Sequence, residues 1–104
     1  MERRVVITGL GVVSPVGTGV EKFWNSLLEG KSGIAPITRF DAADFPVKIA
    51  GEVKDFDPAL AGDKKTIRHM DRNAQFAVAA ARMAVEDAKL DMEKENPDMA
   101  GIPY

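Results

Sequence analysis

The sequence predicts an α/β fold, and three features of its 104 residues support that prediction. Residues 4–8 are mostly β-branched and apolar, a pattern typical of a strand buried on both faces in a parallel sheet. A glycine-rich turn follows, and apolar side chains then recur at helical spacing between Thr18 and Glu29. A longer helical pattern runs from about Lys64 to Lys89. A strand, a turn and helices in this order are typical of a layered α/β domain.

The first helix is predicted over residues 18–29. Five apolar side chains form one stripe along it, and we expect this stripe to pack in the core: Val20, Phe23, Trp24, Leu27 and Leu28. Thr18 and Glu21 have the spacing of a capping box, in which each side chain bonds a free amide at the start of the helix. Gly30 suits the left-handed position that commonly follows a helix.

The middle of the chain is predicted to contain a loop, a strand and a turn. Residues 31–45 hold glycine and proline breakers and are expected to be mostly loop. Residues 47–53 alternate apolar and polar side chains, which predicts a half-exposed strand such as a hairpin arm. Asp57 precedes Pro58, so we expect Asp57 to cap a short helical turn.

The longest element is predicted as one helix over residues 64–89. Its middle, residues 76–81, is apolar on nearly all sides, and the small alanines allow other backbones to approach closely. A helix of this kind needs neighbours on every side. The other predicted elements cannot supply them all, because an isolated pair of short strands is marginal in water.

Composition narrows the classes of function. The chain has no cysteine, which excludes disulfides, thiolate metal ligands and a cysteine nucleophile among these residues. A net charge of -2 argues against general affinity for nucleic acid. No apolar run approaches the roughly 20 residues of a membrane span, and the first one is too short for a signal peptide. We therefore expect a cytoplasmic protein with no membrane segment.

Two motifs suggest chemistry only weakly. Gly9 and Gly11 follow the predicted strand as in a dinucleotide-binding turn. That fingerprint requires a third Gly or Ala at the position of Ser14, and it requires a helix that begins directly at the turn. Pro15 follows instead, so a tight structural turn is favoured. His69 is the only histidine, so it cannot form a two-histidine metal site, and no nucleophile is paired with it. A surface role or a place at a helix edge is favoured for it.

A cluster of positive charge lies at the start of the long predicted helix. Its members recur about one helical turn apart: Lys64, Lys65, Arg68 and Arg72. Only Asp63 and Asp71 oppose them nearby. The cluster is either a solvated helix face or a docking surface for an acidic partner. The residues alone favour the solvated face.

A series of short segments, taken in order, closely resembles the opening of the β-ketoacyl-[acyl-carrier-protein] synthases, the condensing enzymes of fatty-acid synthesis. These segments are residues 5–17, 23–24, 30–34, 37–41, 50–58, 63–65, 70–72 and 86–88. The elongating subtype, synthase II, is the most similar. The resemblance implies a thiolase-like fold of five layers in the order αβαβα. Residues 1–104 would be the amino-terminal portion of the synthase domain, at the start of the first half of that fold.

The resemblance also implies an activity and a dimer. Members of the family are homodimers of about four times this length. They condense malonyl carrier protein with an acyl chain held on a cysteine, with two histidines assisting and no cofactor. No catalytic residue carries over, because the chain has no cysteine and His69 falls outside the catalytic motifs. The 104 residues alone are predicted to be inactive. Pro103 and Tyr104 depart from the apolar strand of the family at this point.

One functional feature does carry over. The resemblance implies that the basic residues just before Met70 and Asp71 dock the acidic acyl carrier protein in its acyl- and malonyl-loaded forms. The matching positions are Lys64, Lys65, Arg68 and His69, where the family usually has lysine or arginine at the last. Two hypotheses follow: a segment of a condensing acyltransferase, or a non-catalytic module that docks carrier protein.

Overall fold

The computed structural model describes residues 2–102. Its strands are β1 (Val13–Ser14), β2 (Gly17–Thr18), β3 (Ile34–Pro36) and β4 (Ile49–Gly51), and its α-helices are α1 (Val20–Leu28), α2 (Lys64–Ile67) and α3 (Arg72–Ala88). Two 3₁₀ turns lie at Pro58–Leu60 and Pro97–Met99. The mixed content confirms the predicted α/β class. Pro103 and Tyr104, at which the sequence departs from the family pattern, lie outside the described residues.

The described residues form an open assembly of small units. Both sheets have two antiparallel strands, β1 with β2 and β3 with β4. The radius of gyration is 17.1 Å, against about 13 Å for a compact domain of this length. The apolar residues that are buried are correspondingly few among the described residues: Ala42, Phe56, Ala61 and Ala79.

The predicted strand at residues 4–8 is not formed. Val5 and Ile7 are 95% and 83% exposed, and the segment has no regular secondary structure. A strand is held by hydrogen bonds to a neighbouring strand, and none of the four described strands pairs with this segment. The prediction was wrong for these residues because their pattern suits a sheet that residues 2–102 do not form.

Gly9 and Gly11 lie against α3 instead of forming the predicted tight turn. A Cβ atom added to Gly11 would be 1.9 Å from the carbonyl oxygen of Ala80, and one added to Gly9 would be 2.3 Å from that of Ala84. At both positions the helix backbone leaves room for the glycine hydrogen atom but not for a side chain. The close backbone approach predicted for the alanines of the long helix is therefore present, and glycine provides the other side of it.

The tight turn lies further along the chain, at Pro15 and Val16 between β1 and β2. Helix α1 begins only at Val20, after the hairpin has closed. A dinucleotide fingerprint needs a helix that opens directly on the glycine turn. The described backbone at Gly9 and Gly11 has no such helix.

Helix α1 starts later than predicted and without the capping box. Its N-cap is Gly19, and no side chain caps it. Thr18 is the last residue of β2, and Gly19 lies between it and the first residue of the helix, so Thr18 does not stand at the N-cap position. The predicted bond pattern between Thr18 and Glu21 was therefore wrong.

The end of α1 follows the prediction. Gly30 has a φ of 71°, the left-handed conformation that glycine adopts at little cost. The amides of Gly30 and Lys31 donate to the carbonyl oxygens of Leu27 and Ser26 at 3.1 and 3.0 Å. This pair of bonds is a Schellman motif.

The apolar stripe of α1 is not a core. Trp24 and Leu28 are 57% and 67% exposed, although packing in the core was predicted for the stripe, and Phe23 is only half-buried. The buried residue of the helix is Ser26, whose hydroxyl donates to the Val16 carbonyl oxygen at 2.7 Å. The helix therefore contacts the hairpin through its polar side, and the described residues offer no layer against the stripe.

The second hairpin joins the predicted strand to a segment predicted as loop. Strand β4 lies within residues 47–53, as expected, and Ala50 pairs with Ala35 of β3. Beyond β4, the Glu52 carboxylate accepts hydrogen bonds from the Thr38 hydroxyl at 2.9 Å and from the Arg39 amide at 3.1 Å. These bonds hold the pKa of Glu52 below its ordinary value, the Thr38 side-chain bond being the main cause.

The predicted single helix over residues 64–89 is two helices, α2 and α3. Asp71 separates them, because its backbone is extended and its Oδ1 accepts from the Ala74 amide at 2.8 Å. Asp57 forms the predicted cap of the Pro58–Leu60 turn by accepting from the Ala59 amide at 3.0 Å. Among the described helices, none combines the length and the apolarity that crossing a membrane requires.

Candidate functional site

The four residues predicted to bind the carrier protein lie on one short segment. Lys64 and Lys65 begin α2, Arg68 ends it, and His69 stands in the turn before α3. All four are exposed. We call the surface formed by these four residues the α2 patch.

The backbone under the α2 patch is held by caps at both ends. The Asp63 carboxylate accepts from the Thr66 amide at 2.7 Å and begins α2. At the far end, the amides of Arg68 and His69 donate to the carbonyl oxygens of Lys64 and Thr66, both at 3.2 Å. The patch is therefore presented on an ordered turn of helix.

The acidic residues on either side of the patch are already engaged. The Thr66 amide bond is the main cause that holds the pKa of Asp63 below its usual value. Asp71 makes the equivalent bond at the start of α3. Each carboxylate lies against the free amides at a helix start, where negative charge is favoured.

The cations of the patch have no carboxylate partner in the described part of the chain. The ion pairs within residues 2–102 are Lys22 with Asp55 and Lys31 with Glu29. The bond from Lys22 is also the main cause that lowers the pKa of Asp55. The positive charges of α2 therefore face solvent and are available to an outside partner.

Arg72 does not belong to this surface, although its spacing placed it in the basic cluster. Its guanidinium donates to the Val53 carbonyl oxygen at 2.7 Å and lies 4.9 Å from the centre of the Phe76 ring. Phe56 packs edge-on against Phe76 with ring centres 4.9 Å apart. Arg72 is half-buried and ties α3 to the segment after β4. Spacing along the helix could not reveal the bond to Val53, because that residue lies 19 positions away in the chain.

Arg82 lies beside the patch, and sequence reasoning missed it. A Cβ atom added to Gly62 would be 4.0 Å from a guanidinium nitrogen of Arg82. Gly62 immediately precedes the cap of α2, so Arg82 reaches the start of that helix from α3. The Pro58–Leu60 turn contacts both helices and brings them together. No local signal in the sequence indicates this approach.

The described residues hold no arrangement suited to bond-making chemistry. Within residues 2–102, no three histidine, cysteine or acidic side chains gather closely enough to hold a metal ion. His69 stands alone on the patch, as the sequence suggested, and no cysteine occurs in the chain. The arrangement presents fixed positive charge, which suits recognition of an acidic partner.

Comparison with known proteins places this geometry in a family. Residues 2–102 match the family described as "Beta-ketoacyl synthase, N-terminal domain". The chain belongs to the β-ketoacyl synthase family. The predicted resemblance is confirmed, and the α2 patch lies inside the matched range.

Two relatives within the β-ketoacyl synthase family have the same name. The chain is 56% identical over 101 residues to "3-oxoacyl-[acyl-carrier-protein] synthase 2" of Coxiella burnetii, a match that covers 97% of this chain and 24% of the relative. It is 46% identical over 101 residues to the protein of the same name in Synechocystis sp., with the same coverage. The chain therefore spans about a quarter of the length of these curated relatives.

A solved structure supports the fold assignment. The chain superposes on "The ishigamide ketosynthase/chain length factor" with a TM-score of 0.79 and 49% sequence identity, over 89% of this chain and 23% of that one. The predicted fold, part of a thiolase-like α/β architecture, is confirmed. The superposed residues correspond to about a quarter of that ketosynthase chain.

Proposed function

We propose that this chain is the amino-terminal portion of a 3-oxoacyl-[acyl-carrier-protein] synthase, which elongates fatty acids by condensing malonyl carrier protein with acyl carrier protein. The observation that carries the proposal is the match of nearly the whole chain to synthases of that name. The proposal includes a homodimer in the cytoplasm, as the family resemblance implies.

In the proposed reaction, this portion and the rest of the synthase have different roles. A cysteine thiolate first takes the acyl chain from its carrier protein, breaking that thioester and releasing the thiol of the carrier protein. Malonyl carrier protein then loses carbon dioxide, and its carbanion attacks the acyl thioester and expels the cysteine thiolate. The chain has no cysteine, so residues outside it supply the nucleophile. The portion described here contributes scaffold and docking surface.

The α2 patch is the proposed docking site for acyl carrier protein. Lys64, Lys65 and Arg68 are exposed and carry charge that no described carboxylate neutralises. Cations of this kind raise the rate of encounter with an acidic protein and fix its orientation. His69 adds a hydrogen-bonding group at the end of the patch.

The first experiment is an intact-mass measurement on the natural polypeptide together with a condensation assay. We expect a mass about four times the 11.3 kDa of this chain, since the chain covers 24% of its relatives, and turnover of malonyl and acyl carrier protein. The 104-residue chain assayed alone should show no turnover. Measurable condensation by the isolated chain would overturn the assignment of catalysis to other residues.

The second experiment titrates carrier protein onto the natural polypeptide and its variants. Lys65→Glu and Arg68→Glu should each weaken binding about fivefold at low salt, as exposed ion pairs of about 1 kcal/mol predict. Moderate salt should shrink the loss, because it screens exposed charges. Lys94→Glu makes the same charge change on the exposed polar tail and should change binding less than twofold. Binding that ignores both substitutions would refute docking at α2.

The alternative function is a carrier-protein docking module without catalysis. The observation that favours it is the combination of an exposed basic patch with the absence of cysteine. A natural mass near 11.3 kDa, with carrier-protein binding but no condensation, would favour the module over the synthase.

A further inference from the structure

Arg82 stands on a ridge of α3 between two clefts. One cleft lies towards the Pro58–Leu60 turn, where Arg82 and Leu60 share its lining. The other is an apolar groove along α3, where Arg82 stands beside Val78 and Val85. The Arg82 side chain is exposed and therefore reaches solvent between the two clefts.

The position of Arg82 extends the positive charge of the α2 patch. Its guanidinium approaches Gly62 closely enough to lie 4.0 Å from a Cβ added there. The Thr66 amide is the first cause that lowers the pKa of Asp63, and the positive charge of Arg82 acts in the same direction. Asp63 directly follows Gly62, so its carboxylate belongs to the segment that Arg82 approaches, although the two groups form no ion pair within 4.0 Å among the described residues.

The opposing charges near Arg82 are limited. Asp63 is committed to capping α2 through the Thr66 amide. Glu86 lines the same two clefts, one helical turn further along α3, and makes no ion pair in the described part of the chain. The guanidinium therefore remains available to a further acidic group.

Apolar side chains flank the charge of Arg82. Val85 is 43% exposed and Leu60 is 40% exposed, one on each side of the ridge. Interfaces commonly combine a cation at the rim with apolar contacts beside it. The ridge therefore offers charge and apolar area to the same partner.

We propose that the carrier-protein docking surface continues from α2 onto α3, with Arg82 as an additional cation and Val85 and Leu60 as the apolar contacts beside it. The inference rests on the proposed function, which supplies an acidic protein as the partner. Charge complementarity selects this occupant, because the surface joins the cations of two helices. The carrier protein would thus contact two consecutive helices instead of one, which fixes its orientation.

The test measures carrier-protein affinity in the natural polypeptide for four substitutions. Arg82→Glu should weaken binding about fivefold at low salt and less at moderate salt, as exposed charge pairs predict. Arg82→Gln should weaken it about twofold, since it removes attraction without adding repulsion. Val85→Ser should weaken it about twofold with no dependence on salt. Lys94→Glu is the matched control for charge, and circular dichroism verifies that each variant is folded.

The outcomes separate this inference from the proposed function. If Lys65→Glu and Arg68→Glu weaken binding while both Arg82 variants bind normally, the docking surface ends at α2 and the inference is wrong. If none of these variants changes affinity, the proposed docking function fails as well. A loss in Arg82→Glu that is equal at all salt concentrations would also overturn the inference, because its cause would not be charge.

Discussion

The contact between Gly11 and α3 predicts that Gly11→Ala destabilises the protein. The added Cβ would lie 1.9 Å from the Ala80 carbonyl oxygen and 2.9 Å from the Ala84 amide nitrogen. Both obstructing atoms belong to the helix backbone, which cannot rotate away as a side chain can. The segment must therefore withdraw by roughly 1.5 Å to reach an ordinary contact distance of about 3.5 Å.

The magnitude follows from three contributions. Overpacking of this kind costs about 1–3 kcal/mol. Withdrawal also lengthens the bond from the Leu10 amide to the Asp87 carboxylate, now 3.0 Å, at a cost of about 0.5 kcal/mol for an exposed site. The lower entropy of alanine in the unfolded chain offsets about 0.4–1 kcal/mol. The free energy of unfolding should fall by about 0.5–3 kcal/mol, and each kcal/mol lost lowers Tm by about 4–8 °C in a domain of this size.

Thermal and urea unfolding followed by circular dichroism measure this loss. Gly101→Ala is the matched control, because no atom lies within 4 Å of its added Cβ and its stability should change by less than about 0.5 kcal/mol. Ala80→Gly should not rescue Gly11→Ala, since the obstruction is a carbonyl oxygen that both residues possess. Wild-type stability in Gly11→Ala, or full rescue by Ala80→Gly, would refute the packing argument.

Two further predictions concern Arg72 and Glu52. Arg72→Lys should lower the free energy of unfolding by about 1–2 kcal/mol, because lysine loses both the stacking on Phe76 and the planar donor to Val53. Urea unfolding checks this against the exposed control Arg39→Lys, and equal stability of the two variants would contradict it. The lowered pKa of Glu52 means that its carboxylate stabilises the fold above the ordinary glutamate pKa of about 4.3 and ceases to do so as pH falls through the folded-state pKa. The stability difference between wild type and Glu52→Gln should therefore be largest near pH 7 and vanish in acid, and a difference that persists in acid would exclude this cause.

Local sequence signals predicted the elements that depend on nearby residues. Gly30 ends α1 and Asp57 caps a 3₁₀ turn, because in each case the bonding partners lie within a few positions. The alternating pattern over residues 47–53 likewise predicted β4 from neighbouring residues. The partner strand β3 was missed, since it lies in a segment whose glycine and proline content indicates loop.

Elements that depend on distant partners were predicted poorly. Residues 4–8 have the composition of a buried strand, but a strand forms only beside another strand. The exposed stripe around Trp24 has the same explanation, because an amphipathic helix buries its apolar face only where a layer covers it. Asp71 divides the predicted long helix into α2 and α3. Its side chain accepts a hydrogen bond from the Ala74 amide as the N-cap of α3, a position that aspartate favours over the interior of a helix.

The candidate site divides in the same way. The charge pattern over residues 64–69 and the resemblance to the synthases were visible in the sequence and located the α2 patch. The tertiary structure then excludes Arg72 from the basic surface, because Arg72 bonds Val53 and stacks on Phe76. It also brings Arg82 to the edge of the patch. Spacing along one helix indicates which charges share a face, but not which of them a neighbouring element occupies.

Family membership and the α/β class followed from the order of residue types, and the absence of a cysteine nucleophile from the composition; neither needs coordinates. The use of Gly9 and Gly11 as a contact with α3, rather than as a turn, was decided only by the tertiary structure. The physical reason is that a glycine permits both a turn and a close approach. Only the position of the Ala80 and Ala84 backbone distinguishes these two uses.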